Sequence, residues 1–177
     1  GIAEKIDTPA VIENCENKGH ISSPSMADYD VYYFGGIAGK VNGAFTLRNC
    51  VNRGNLTAAV ERDIAGIAVS GGNDAVFENC ENYGNITVAP NHKPNEGDRW
   101  RPCVAGIVAI ENDVATTITN CTSDCVIDAT VYRATSIDKV YVFQKTWENG
   151  TEDTKTVCDE ASKSNSAGTT INITTRE

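Results

Sequence analysis

The sequence predicts an all-β protein in which short parallel strands stack repeat upon repeat as a parallel β-helix, about four rungs of three strands with a C-terminal β cap. One recurring phrase predicts this first. It reads Asn14-Cys15-Glu16-Asn17-Lys18-Gly19-His20-Ile21, then Asn49-Cys50-Val51-Asn52-Arg53-Gly54-Asn55-Leu56, then Asn79-Cys80-Glu81-Asn82-Tyr83-Gly84-Asn85-Ile86. A decayed fourth copy is Asn120-Cys121-Thr122-Ser123-Asp124-Cys125-Val126-Ile127. A second phrase precedes the later copies: Gly36-Ile37-Ala38, Gly66-Ile67-Ala68 and Gly106-Ile107-Val108. The Asn-Cys pairs are 35, 30 and 41 residues apart, a period that marks a stack of supersecondary units.

Each rung is expected to hold three strands. The first contains the Gly-Ile step, the second is Thr46-Leu47-Arg48 or Val76-Phe77-Glu78, and the third ends in Gly-x-Ile/Leu. Strand side chains alternate with a period of two, so Ile12, Leu47, Phe77 and Ile118 face inward and carry Asn14, Asn49, Asn79 and Asn120 inward with them. Counting back from Ile21 instead makes Gly19, Asn17 and Cys15 inward. The two phases collide between Asn and Cys, which marks a corner, because Asn tolerates the left-handed backbone that a sharp bend demands. Stacked inward Asn side chains are expected to form hydrogen-bonded ladders, with Asn120 buried. Glu13, Arg48 and Glu78 fall outward on successive rungs, a cation between two carboxylates.

Seven cysteines suggest disulfides in a small secreted chain, yet Cys15, Cys50, Cys80 and Cys121 occupy one repeat position. In-register neighbours about 4.8 Å apart with parallel side chains suit disulfide geometry poorly, so these four are read as reduced, buried small hydrophobes. Cys103, Cys125 and Cys158 remain for pairing, and the odd total leaves a thiol free. No Cys/His set has zinc-site spacing, so no metal and no cofactor is expected.

The pattern Gly-Gly-Ile-x-Gly, an interval, then Ile/Leu-x-Asn-Cys-x-Asn-x-Gly-x-Ile resembles the GLUG-type repeat of large bacterial surface proteins, including those of gut Bacteroidetes. The resemblance covers roughly residues 11–130 and implies a right-handed parallel β-helix at an extracellular or cell-surface location. It implies no catalytic signature. The fourth copy departs from it, with Ser123 and Cys125 in place of the second Asn and the glycine, as expected of a rung that borders a cap.

With 177 residues the chain can bury a core as one domain, divided here into repeats over residues 1–130 and a cap over 131–177 packed on them. The net charge of −9 argues against nucleic acid as a partner, since that binding depends on Lys and Arg. No apolar run approaches the roughly 20 residues of a membrane-spanning helix. Gly1 reads as a cloning remnant, residues 1–10 as too short to cap the stack, and the early first repeat as a sign that a leader or upstream segment has been removed.

Beyond Ala129 the repeat fades. Residues 139–147 read as a strand, 148–151 as a turn, 154–158 as a returning strand, 162–168 as a polar stretch and 169–174 as a last strand, together a cap over the open end. If Ile37, Ile67 and Ile107 face inward, then Phe34, Ile64, Val104, Ala38, Ala68 and Val108 face outward. That outer Gly/Ala face would be apolar and flat, to be covered by the C-terminal hairpin or a partner chain.

Function on such scaffolds sits in insertions between rungs. The intervals Ile21 to Gly36, Leu56 to Gly66 and Ile86 to Gly106 are 15, 10 and 20 residues, so segments 22–35 and 87–103 project from one edge, two rungs apart. In a chain with 7% aromatics they carry Tyr29, Tyr32 and Tyr33 on one side and His92, Arg99, Trp100 and Arg101 on the other. Flat rings rimmed by hydrogen-bonding groups suit sugars or protein surfaces. The leading reading is a non-catalytic cell-surface binding or adhesion module whose partner is a glycan or a host or surface protein. A polysaccharide-cleaving enzyme using His92, Glu96, Asp98 and Arg99, and a structural spacer, are the alternatives. Ice binding is set aside because outward Ser22, Thr57, Thr87 and Asp128 form no regular Thr ladder. The N-x-Thr sequons at Asn55, Asn85, Asn120, Asn149 and Asn172 are read as incidental.

Overall fold

Each recurring tetrad alternates apolar and polar residues, Phe45-Thr46-Leu47-Arg48 for example, and a half-buried strand follows from that alternation. The computed structural model describes residues 2–7, 9–23, 33–59, 63–72, 74–89, 103–110, 114–131, 140–142, 146–147, 151–152 and 156–176. The fold is all-β, with five parallel sheets and one short helix among the described residues.

The first sheet holds Ala10–Glu13, Phe45–Arg48, Ala75–Glu78, Thr116–Thr119 and Thr156–Cys158. The second holds Glu16–Asn17, Val51–Asn52, Glu81–Asn82 and Thr122–Ser123. The third holds Ile21–Ser23, Leu56–Ala58, Ile86–Val88, Val126–Val131 and Thr170–Thr175. Tyr33–Gly35, Asp63–Ala65, Val104–Ala105 and Val140–Tyr141 make the fourth, and Ala3–Ile6, Ala38–Val41, Ala68–Ser70 and Val108–Ile110 the fifth. The chain visits these sheets in the same order in each repeat. Equivalent residues stand in register: Leu47 lies between Ile12 and Phe77, and Phe77 faces Ile118 on its other side.

Each repeat thus has five short strands, where three were expected. The Gly-Ile step splits the first expected strand in two, and the Asn-x-Gly step splits the third. Ile2 and Ala3 also belong to the pattern: both amides donate to Ile37 O, as those of Ile37 and Ala38 donate to Ile67 O. The sequence reading missed this copy of the Gly-Ile-Ala step.

Two glycine-and-amide columns divide the interior. Ile37, Leu47, Cys50, Phe77, Ile107 and Ile118 belong to one buried cluster, while Phe34, Leu56, Ile64, Ile86, Val104 and Ile127 belong to another. Between them a side chain on Gly66 would collide with Gly106 O and the Asn82 amide, and one on Gly36 with Gly66 O and the Asn52 amide. Backbone and amide touch at this waist, so only glycine fits.

Two orientations differ from expectation. Asn14, Asn49 and Asn120 are exposed and Asn79 is half-buried, although all four were expected inward. Their φ angles of 50–57° reverse the alternation at the corner, which turns the Asn out and leaves the following Cys in. The ladder forms outside instead: Asn49 Nδ2 donates to Asn14 Oδ1 (3.1 Å), Asn79 to Asn49 (3.1 Å) and Asn120 to Asn79 (2.7 Å). Phe34, Ile64, Val104, Ala38, Ala68 and Val108 turn inward, which overturns the flat outer face drawn from them. The chain slips phase at the glycine, so Ile37 and Ala38 both enter the core.

The C-terminal segment extends the same sheets. Val140–Tyr141, Thr156–Cys158 and Thr170–Thr175 pair in parallel with Val104–Ala105, Thr116–Ile118 and Val126–Val131, while Thr146–Trp147 pairs antiparallel with Thr151–Glu152. A helix at Glu160–Asn165, where the sequence suggested a polar stretch, lies over the last strand of the second sheet. Asp159 caps it by accepting from Ser162 N at 2.9 Å. The same carboxylate accepts from Asn120 N, at 3.0 and 3.1 Å. Ser162 Oγ accepts from Cys121 N (2.8 Å), and Ser166 Oγ from Ser123 N (2.7 Å). Three edge amides thus meet side chains rather than another strand.

Candidate functional site

The described strands that precede 24–32, 60–62, 90–102 and 132–139 lie in the third sheet and those that follow lie in the fourth, so the attachment points of these segments line one junction. Ile21–Ser23 and Ile86–Val88 are two strands apart in one sheet, and Tyr33–Gly35 and Val104–Ala105 are two apart in the other. The attachment points of the two aromatic-rich segments are therefore about 10 Å apart. Tyr29, Tyr32, His92, Arg99, Trp100 and Arg101 lie outside the described residues, as do Glu96 and Asp98.

Tyr33 is the one predicted site residue within them. It is half-buried, packs against the cluster of Ala65, Val69, Cys103, Ala105 and Ala109, and has Lys40 Nζ 4.0 Å from its ring centroid. This cluster joins Ala65 and Ala105 of the fourth sheet to Val69 and Ala109 of the fifth, and Ala65 and Val69 are fully buried. Asp63 follows Tyr33 in register, and its Oδ1 accepts from Cys103 N at 3.0 Å. Sequence reasoning missed Lys40 and Asp63. The signal for Lys40 was a lone cation in a strand otherwise made of Ala38, Gly39 and Val41.

The described interior is built of neutral donors and acceptors. Cys50, Cys80 and Cys121 are buried, Cys15 is half-buried, and all seven cysteines are free thiols. Hydrogen bonding with Cys80, then burial, pushes the Cys50 thiol well up. Hydrogen bonding with Cys121, then burial, puts Cys80 at about 12, and burial puts Cys158 at about 11. Burial also raises Cys15 and Cys125. These groups are protonated at neutral pH and are poor nucleophiles. Ser123 Oγ and Cys125 Sγ lie 3.5 Å apart, but Asn82 Nδ2 and Thr169 Oγ1, which donate to them, are not bases. Among the described residues no group of three or more His, Cys, Asp or Glu side chains could hold a metal ion. None of their helices is long and apolar enough to cross a membrane.

No family model, curated protein or solved structure matches the chain.

Proposed function

We propose that the chain is a right-handed parallel β-helix of the GLUG-repeat type. Each circuit through the five sheets is one coil. The recurring order of sheets supports the winding, and the strong preference of parallel crossovers for one hand supports its sense. On this scaffold the chain serves as a non-catalytic binding or adhesion module of a bacterial cell surface. It recognises carbohydrate or protein through segments 22–35 and 87–103.

One observation carries the reading: both segments are anchored on the same junction, two strands apart, on a stack whose register fixes their spacing. Two segments that carry Tyr and Trp residues and attach this close together can offer aromatic area with hydrogen-bonding rims to one partner, which suits recognition. A glycan panel probed with the wild type and with the Tyr32→Ala/Trp100→Ala variant tests it. Binding of a glycan that falls at least tenfold in the variant is expected. Turnover of any glycan would replace the reading with an enzyme, and equal binding by both proteins would place recognition elsewhere.

A further inference from the structure

Cys50, Cys80 and Cys121 stand in one column. Each directly precedes a strand of the second sheet, and those strands pair in register, Val51 with Glu81 and Glu81 with Thr122. All three are fully buried in the cluster that holds Leu47, Phe77 and Ile118. In-register neighbours on adjacent parallel strands lie about 4.8 Å apart with their side chains pointing the same way. A disulfide would have to draw the two sulfurs to about 2 Å, which this arrangement opposes. A bond from a thiolate to a small closed-shell cation is about 2.3 Å long, so two such bonds in line span about 4.6 Å, close to the spacing of the column.

Cys80 and Cys121 are the best prepared pair. Their thiols hydrogen-bond each other, and the Cys80 N–H donates to Cys121 Sγ at 3.4 Å. That donor is placed to stabilise the sulfur once it is a thiolate. Among the described residues neither Cys50 Sγ nor Cys80 Sγ receives a backbone N–H. The thiol protons now make only long contacts, from Cys80 Sγ to Leu47 O at 3.4 Å and from Cys121 Sγ to Thr119 O at 3.5 Å.

The surroundings select the ion. A tetrahedral ion such as zinc needs four ligands, and among the described residues no third Cys, His, Asp or Glu completes a set. Soft thiolate ligands favour soft cations. Two thiolates and a divalent cation make a neutral unit, whereas a monovalent cation would leave a buried negative charge among Leu47, Phe77 and Ile118.

We propose that Cys80 and Cys121 form a two-coordinate site for a soft divalent cation of the mercuric kind. On binding, two S–H bonds break, two sulfur–metal bonds form, both protons pass to solvent and no electron is transferred. The site rests on the thiol column alone and is independent of segments 22–35 and 87–103.

The probe is mercuric chloride, added at one equivalent to the full chain with a few equivalents of glutathione, which takes up ion held by a single protein sulfur. The wild type is expected to retain one mercury per chain, measured by mass spectrometry of the metal after dialysis. Cys121→Ala is expected to retain at least tenfold less, and Cys50→Ala as much as the wild type. Zinc chloride at the same dose is expected to leave no bound metal. In wild-type crystals an anomalous peak is expected between Cys80 Sγ and Cys121 Sγ, a reading that requires no variant to fold. No retention by the wild type, equal retention by Cys121→Ala, a matching loss in Cys50→Ala, or anomalous peaks at other thiols alone overturns the site. So does retained zinc, which would mark a centre with four ligands.

Discussion

Asn52 Nδ2 donates to Asn82 Oδ1 at 2.8 Å, a fully buried bond between residues thirty positions apart. Asn17 Nδ2 reaches Asn52 Oδ1 at the same distance, and each of these amides also bonds the glycine two residues on. The second Asn of the repeat phrase thus ties one level to the next and fixes the turn after it.

The inner and outer asparagines should respond differently to substitution. Asn52→Ala removes the partner of the buried Gly54 N–H and C=O and of the buried Asn82 Oδ1, breaks the bond from the half-buried Asn17, and is expected to cost about 3 kcal/mol. Asn49→Ala, on the exposed ladder with φ 53°, should cost about 1 kcal/mol through the left-handed backbone. Asn49→Gly should recover most of that loss, and Asn52→Gly none of its own. Urea denaturation of the four variants checks the contrast.

Glycines at the waist and at a turn should separate in the same way. Gly66→Ala drives a methyl into Gly106 O and the Asn82 amide, where neither neighbour can give, and is expected to cost about 3 kcal/mol or prevent folding. Gly43, with φ 86° and open space around it, should lose only about 1 kcal/mol on Gly43→Ala. Thermal midpoints measured side by side decide whether the waist is as tight as described.

The thiol column makes stability sensitive to alkali. An unfolded thiol ionises near 9, whereas Cys80 in the fold is held at about 12. The unfolded chain therefore releases its proton first, and the contribution of Cys80 is intact below pH 9 and lost as pH rises toward 12. The expected fall is about 1.4 kcal/mol per pH unit for this group. Cys80→Ala should be less stable at pH 8 but decline less steeply between pH 9 and 11; parallel slopes in urea titrations would contradict the account.

At the C-terminal end, Ser162→Ala removes the acceptor of Cys121 N and should cost about 1–2 kcal/mol. Hydrogen exchange should quicken at Cys121 first, while Leu47 keeps its protection. Hydrogen bonds from the Ser162 hydroxyl and backbone hold the Asp159 carboxyl below its usual range. Its contribution is present above about pH 4 and lost as pH falls through the lowered value. Asp159→Asn should remove that part of the acid dependence, read as a flatter thermal midpoint between pH 5 and 2.

Much of the stack was legible because identical residues recur where neighbouring levels touch. Inward Asn17, Leu47, Phe77 and the Cys column follow from the period of two and the repeat alone. What was missed lies where the backbone breaks that period. The positive φ at Asn49 reversed its side chain, the glycine before Ile37 slipped the phase that placed Phe34 and Ala38, and both are tertiary choices that alternation does not encode. The helix at Glu160–Asn165 escaped because Ser162 and Ser166 looked like loop residues; their hydroxyls serve the edge amides of a level forty residues earlier. At the junction between the third and fourth sheets the spacing of the insertions was readable, but the Lys40 contact with Tyr33 was not, since it joins residues on two different sheets.

The central claim is the in-register stacking of repeats, and side-chain amide contacts read it most directly. In a NOESY spectrum of uniformly labelled protein, the Asn52 Nδ2 protons are expected to show cross-peaks to the side-chain amides of both Asn17 and Asn82. Resonances for these three residues in separate environments, with no cross-peak between successive repeats, would contradict it.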